Sequence, residues 1–125
     1  MYTIGETAKI VGLSTYTLRY YEQEKIITPS RKTSGERYYN EEHLNWLRFV
    51  IRLKATQMPL AQIRKYAELF SEGDHTAAQR LELLQAHQAF IQEQLQRLME
   101  VNSELDYKIT NYEQLIANSA IQKNV

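Results

Sequence analysis

Apolar residues recur at helical spacing along nearly the whole chain, and one change of rhythm divides it. Up to residue 70 the apolar stripes are short and are broken by glycine, proline and hydroxyl residues. From Thr76 to about Asn118 there is no proline or glycine, and a single stripe runs on.

The short stripes predict four helices and a hairpin. Thr3-x-x-Glu6 is a capping box, and it opens a helix with Ile4, Ala8 and Val11 inward. Gly12 supplies a turn, because glycine takes positive φ at little cost. Leu13 packs in that turn. Ser14 is a good N-cap for a second helix, roughly Thr15 to Glu24, with Leu18 inward. Thr28-Pro29 stops any helix. Residues 30–39 read as a small β-hairpin, with Gly35 near its tip and Arg37 to Tyr39 returning. Asn40 caps a third helix, with Glu41 and Glu42 well placed in its first turn. Leu44, Trp46, Leu47, Phe49, Val50, Ile51 and Leu53 imply burial of that helix on more than one side. Pro59 begins a fourth helix, whose stripe is Leu60, Ile63, Ala67 and Phe70.

The long stripe is a heptad. Thr76-x-x-Gln79 is a second capping box. The a and d positions are Ala77, Leu81, Leu84, Gln88, Ile91, Leu95, Leu98, Asn102, Leu105, Ile109, Tyr112 and Ile116, and ten of the twelve are apolar. Such a helix spans about 65 Å. It cannot bury its seam against a domain of about 70 residues. An intramolecular hairpin is not expected either, since the stretch 119–125 is too short to fold back along the seam. The seam therefore calls for a second copy of the chain. Leu84, Ile91, Leu95, Leu98, Leu105, Ile109, Tyr112 and Ile116 are its expected contacts, and Asn102 at an a position sets register. Met99, Val101 and Leu115 widen the seam, so a third element, such as the partner's front domain, is expected there. In the tail 119–125, Ile121 is expected to dock a final turn.

Charge divides where the rhythm does. Residues 1–70 carry eleven Lys+Arg against seven Asp+Glu, and residues 71–125 carry four against eight. A basic front half suits a polyanion. The chain has no cysteine, which excludes disulfides, metal-thiolate sites and thiol redox sensing. With no spanning apolar run and no signal peptide, the expected location is cytoplasmic. His43, His75 and His87 form no close-spaced metal motif, and His87 reads as a structural or surface residue. No metal or cofactor is called for. No nucleophile–base arrangement or glycine-rich phosphate loop is visible, so the chain does not read as an enzyme.

The first two helices read as a helix-turn-helix, whose second helix enters the DNA major groove by its N-terminal end. That end is Ser14, Thr15, Tyr16 and Thr17, whose hydroxyls suit phosphate oxygens and base edges. The positive helix end adds attraction for phosphate. Arg19 lies one turn on and can fork onto guanine or phosphate, the bland alternative being a pair with Glu22. Tyr20 and Tyr21 diverge by about 100°, and Tyr20 is expected to face DNA. Arg31, Lys32 and Arg37 make the hairpin a basic wing. One of Tyr38 and Tyr39 is expected simply to pack it.

Taken together, Tyr2-x-Ile4-Gly5-Glu6-x-Ala8, Gly12-Leu13, Thr17-Leu18-Arg19-Tyr20-Tyr21-Glu22, Pro29-x-Arg31 and Gly35-x-Arg37-x-Tyr39 resemble the signature of the MerR (mercury-resistance regulator) family of bacterial transcription regulators. Met58-Pro59-Leu60-Ala61-Gln62-Ile63 with Tyr66, and Leu83-Leu84-x-x-His87, resemble its aldehyde- and thiol-stress branch. The resemblance implies a mainly α fold. A winged helix-turn-helix domain with a β-hairpin wing is followed by a helical pair and a long C-terminal dimerisation helix, an antiparallel coiled coil in the dimer. The expected division is 1–71 for DNA binding (motif about 4–23, wing 30–39, helices about 40–56 and 59–70) and 76–118 for dimerisation.

The resemblance also implies DNA contacts at Ser14, Thr15, Tyr16, Thr17, Arg19, Tyr20, Arg37 and Tyr39. The partners it implies are a promoter palindrome, a second copy and RNA polymerase, and its mechanism is DNA bending and untwisting. Lys25 and Gln57 stand where the family has glycine, and lysine at such a left-handed helix exit costs about 1 kcal/mol. The cysteine-based triggers of the family are absent. No separate ligand domain is expected after the coiled coil, so an unknown small-molecule effector is expected to lodge where the long helix meets the front domain. The other readings are an architectural or excision-type DNA bender without a sensing role, and a protein-binding adaptor. The basic front argues against the adaptor, and the long helix against an excision factor. The dimer is checked by sedimentation at micromolar concentration. Twice the mass of one chain is expected, and a monomer would sink the architecture.

Overall fold

The computed structural model describes residues 1–123, with side chains through Ala120. The docking of Ile121 lies outside the described side chains. Helices α1 (Ile4–Val11) and α2 (Thr15–Gln23) are followed by strands β1 (Ser30–Arg31) and β2 (Arg37–Tyr38). Then come α3 (Glu41–Ala55), α4 (Leu60–Glu72), a 3-10 turn (Asp74–Thr76) and α5 (Ala77–Lys123). Contacts group the chain into two compact units, Met1–Ala86 and His87–Val125.

In the first unit the caps at Thr3, Ser14 and Asn40 form as the spacing predicts. The Thr3 hydroxyl accepts from the Glu6 N–H, and the Glu6 carboxylate accepts from the Thr3 N–H. Those Thr3 hydrogen bonds hold the Glu6 carboxyl below its ordinary range. Their contribution is therefore present above that range and is lost as pH falls through the lowered value. Asn40 caps α3 reciprocally with His43, whose Nδ1 accepts from the Asn40 N–H at 3.0 Å. Its Nε2 then carries the proton and donates to the Thr28 carbonyl at 2.9 Å.

Three helices leave through left-handed residues: Gly12 (φ +81°), Lys25 (φ +60°) and Gln57 (φ +69°). In each case the next N–H reaches back five residues. Leu13, Ile26 and Met58 donate to the carbonyls of Ala8, Tyr21 and Leu53 at 2.9, 2.9 and 3.0 Å. This is the Schellman exit, which satisfies the last carbonyls and turns the following apolar residue inward. Ile26 and Met58 are buried there.

The core gathers Ala8, Leu18, Tyr21, Ile26, Leu47, Val50, Leu53, Met58 and Ile63. Trp46 braces it from the side. Its indole N–H donates to the Ile26 carbonyl at 2.7 Å, and its ring stacks on Tyr66 at 5.7 Å. The hairpin pairs Ser30 with Tyr38 and Arg31 with Arg37. Tyr2 adds a third, isolated bridge to Tyr39, with both backbone hydrogen bonds at 2.8 Å. No local pattern announces that pairing.

Two expectations near the end of this unit are corrected. Phe70 is 64% exposed, and Leu69 is the buried residue. The Phe70 ring instead lies under the Arg80 guanidinium, 5.3 Å from its centroid. Thr76 forms no capping box: its buried hydroxyl lies 2.6 Å from the Leu69 carbonyl and 2.8 Å from that of Gly73. Both follow from the same fact. The chain reverses at Gly73 (φ +121°), so Thr76 folds back onto the last turn of α4 and covers Leu69.

Along α5, Leu95, Leu98, Leu105, Ile109, Tyr112 and Ile116 are each more than half exposed in the single chain. Asn102 is exposed among them, while Leu84 and Ile91 are half-buried. No described helix is long and apolar enough to cross a membrane.

The exit at Gln57 can be tested directly. Gln57→Gly should raise stability by up to about 1 kcal/mol, because the left-handed strain is relieved. Gln57→Val should lower it by more than about 1 kcal/mol, since a β-branched residue resists that φ. Urea denaturation followed by circular dichroism reads both.

Candidate nucleic-acid interface

The second helix owes its position to one apolar side. Leu18 is fully buried and Tyr21 nearly so. Burial pushes the Tyr21 phenol above its ordinary pKa. The remaining residues must then face outward. Tyr16 is 81% exposed and Tyr20 41%, and Thr15 and Arg19 are exposed beside them. The adjacent tyrosines split as helical geometry requires, with ring centroids 6.4 Å apart.

Ser14 caps the helix. Its Oγ accepts from the Thr17 N–H at 3.0 Å and donates to the Thr17 Oγ at 2.9 Å. The Thr17 hydroxyl keeps its own proton to donate outward. The exposed end thus presents hydroxyls, one phenol and free backbone N–H groups, a set that suits an anion.

The wing is more committed to its own structure than its charges suggest. Arg31 is exposed, but its Nη1 donates to the Gly35 carbonyl across the tip at 2.9 Å. Lys32 pairs with Glu36 at 3.6 Å. Arg37 pairs with Glu22, Nη1 to Oε2 at 2.6 Å. The partner of Glu22 is therefore Arg37 and not Arg19. Arg19 makes no ion pair or hydrogen bond among the described residues.

Tyr39 is a correction. It is fully buried, and its hydroxyl donates to the Glu22 Oε1. Its backbone is paired on Tyr2, and strand alternation then sends its ring inward, so it cannot face a DNA backbone. Tyr38 takes the other side and is half-buried.

Glu24 was not singled out by spacing, and Glu22 only as a possible partner of Arg19. Glu22 holds the wing, and Glu24 pairs with Arg64 of α4 at 2.5 Å. A signal for Glu22 was present. It follows Leu18 by four residues and so shares the buried face, where a carboxylate requires a partner.

Two shallow hollows flank these elements. One, of about 350 Å³, is lined by Ile4, Arg19, Glu22, Gln23 and Arg37. The other, of about 310 Å³, lies between α4 and the first turns of α5, and Gln62, Lys65, Leu69, Gln79 and Leu83 line it.

Comparison with known proteins agrees with this geometry. Residues 2–69 match the family model described as MerR HTH family regulatory protein, and residues 44–107 match the one described as MerR, DNA binding. An uncharacterised HTH-type transcriptional regulator of Haemophilus influenzae is 31% identical over 97% of this chain and 90% of its own length. The HTH-type transcriptional regulator AdhR of Bacillus subtilis is 39% identical over 65% of this chain and 59% of its own.

Among solved structures, a protein of Listeria monocytogenes described as a MerR family transcriptional regulator superposes with a TM-score of 0.92 at 31% identity, covering 99% of this chain and 96% of that one. HiNmlR, described as a MerR family regulator lacking the sensor domain and bound to promoter DNA, gives 0.79 at 32% identity, with 93% of each chain covered. An exposed helix-turn-helix, a paired wing and matches that span the chain lead to one conclusion: this protein belongs to the MerR family of DNA-binding, helix-turn-helix transcriptional regulators.

Proposed function

We propose that the protein binds a promoter palindrome as a homodimer and regulates transcription by bending and untwisting the DNA between its half-sites. The observation that carries this reading is the outer face of α2. A large aromatic, Tyr16, stands 81% exposed beside exposed Arg19, on a helix whose opposite side is buried. Each copy offers Ser14, Thr15, Tyr16 and Thr17 at the helix end, Arg19 and Tyr20 one turn on, and Arg31 on the wing. Residues 1–71 serve as the DNA-binding part and 76–118 as the dimerisation helix.

A second copy covers the α5 seam at Leu84, Ile91, Leu95, Leu98, Leu105, Ile109, Tyr112 and Ile116, with Asn102 setting register in an antiparallel pair. The uncovered leucines and isoleucines support this, since apolar area removed from water returns about 25 cal/mol per Å². Separated grips on two half-sites are what DNA deformation requires, and the promoter-bound state of HiNmlR supports a promoter as the target.

RNA polymerase is the partner at that promoter. The protein acts by binding and not by catalysis, in the cytoplasm. An effector that acts on this chain does so without thiolate chemistry, because there is no cysteine.

Two measurements test the reading. Arg19→Ala should weaken binding to the palindrome upstream of the protein's own gene by about tenfold or more. Unchanged affinity in a gel shift would remove Arg19 from the interface. Operator DNA should also be distorted at its centre in the activated complex, as read by circular permutation or cleavage probing, and a straight operator would refute the bending mechanism.

A further inference from the structure

Glu22 is an acidic residue set among the groups that would meet a polyanion. Its side chain is only 13% exposed, and it lines the hollow shared with Arg19, Gln23 and Arg37. A carboxylate there repels phosphate unless a cation cancels it. Its two oxygens are divided between two donors, one in the wing's returning strand and one just after it: Oε2 takes Arg37 and Oε1 takes the Tyr39 hydroxyl. Tyr39 is held in turn by its backbone pairing with Tyr2. The carboxylate is the joint between helix and wing.

We propose that Glu22 is a positioning residue for sequence-selective DNA binding, which fixes the wing's offset from α2 and withholds Arg37 from indiscriminate phosphate contact. The proposal rests on the DNA-binding reading above. Phosphate contacts carry no sequence information in themselves, but they set register. A wing locked to the helix lets both touch DNA together only where the groove has the matching shape. An arginine released from Glu22 would find a phosphate on any sequence and raise binding to unmatched ones, while the unlocked wing would lose its fit to the matched one. Glu22 thus trades affinity for discrimination.

The test uses a duplex enriched from random-sequence DNA by the wild-type protein, and a scrambled duplex of equal length, both titrated by fluorescence anisotropy over a salt series. Glu22→Gln keeps the size of the side chain and an acceptor for Tyr39 but removes the charge. It should bind the scrambled duplex about threefold tighter or more, with a salt slope steeper by about 0.9 per subunit for each freed cation. The ratio of enriched to scrambled affinity should fall about tenfold. Arg37→Met leaves Glu22 bare and should weaken binding to both duplexes, and the double variant should return to wild-type scrambled binding and slope.

An unchanged ratio and slope in Glu22→Gln would overturn the proposal. So would a double variant as weak as Arg37→Met with a slope about one unit shallower per subunit, since Arg37 would then sit on phosphate itself. If Glu22→Gln does not fold, as thermal melting would reveal, Arg37→Met alone decides: an unchanged slope supports the proposal and a shallower one overturns it. Failure of the wild type to enrich any sequence would instead sink the DNA-binding reading, and this proposal with it.

Discussion

Helices of eight and nine residues do not persist alone in water, so α1 and α2 exist because of how they end and what those ends pack into. The left-handed exits at Gly12, Lys25 and Gln57 solve both problems with one geometry. Each ties off a helix's last carbonyls and drops an apolar residue, Leu13, Ile26 or Met58, toward the interior. Ile26 also offers its carbonyl to the Trp46 indole, which joins the exit of α2 to α3 and, through the stacked Tyr66, to α4. The outward display of Tyr16 and Arg19 depends on that anchoring, since a helix free to roll could not hold one face to a groove.

Electrostatics around α2 follow a second logic. The helix ends in two carboxylates, and each takes an arginine from a neighbouring element: Glu22 from the wing and Glu24 from α4. The pairs are partly shielded, so they contribute more to geometry than exposed pairs would, and less to net charge than a count of cations implies. The basic front half is therefore less basic around α2 than its sequence suggests. Arg19, which lies outside these pairs among the described residues, is a cation of α2 available to a polyanion.

The second unit is governed by an absence of cover. A heptad seam of leucine and isoleucine lies open along α5, with Asn102 set within it. Exposed apolar area of that kind is costly in water, and a matching seam on a second copy removes it. In the proposed dimer, that one helix would supply both the pairing surface and the spacing of the two DNA grips.

Much of this was legible in the residues. Capping by Thr3, Ser14 and Asn40, the hairpin around Gly35 and the heptad are all set by neighbours within about one turn or one hairpin, the range over which spacing carries information, while the left-handed exits at Lys25 and Gln57 were legible only through the family resemblance. What the tertiary structure decided lies beyond that range. Tyr2 pairs with Tyr39, and Glu22 chooses Arg37 over the nearer Arg19. Tyr39 goes inward, and the reversal at Gly73 exchanges Phe70 for Leu69 as the buried residue. These outcomes depend on which surfaces meet after the chain turns. Helical and strand periodicity can name a face, but only packing determines what lies against it.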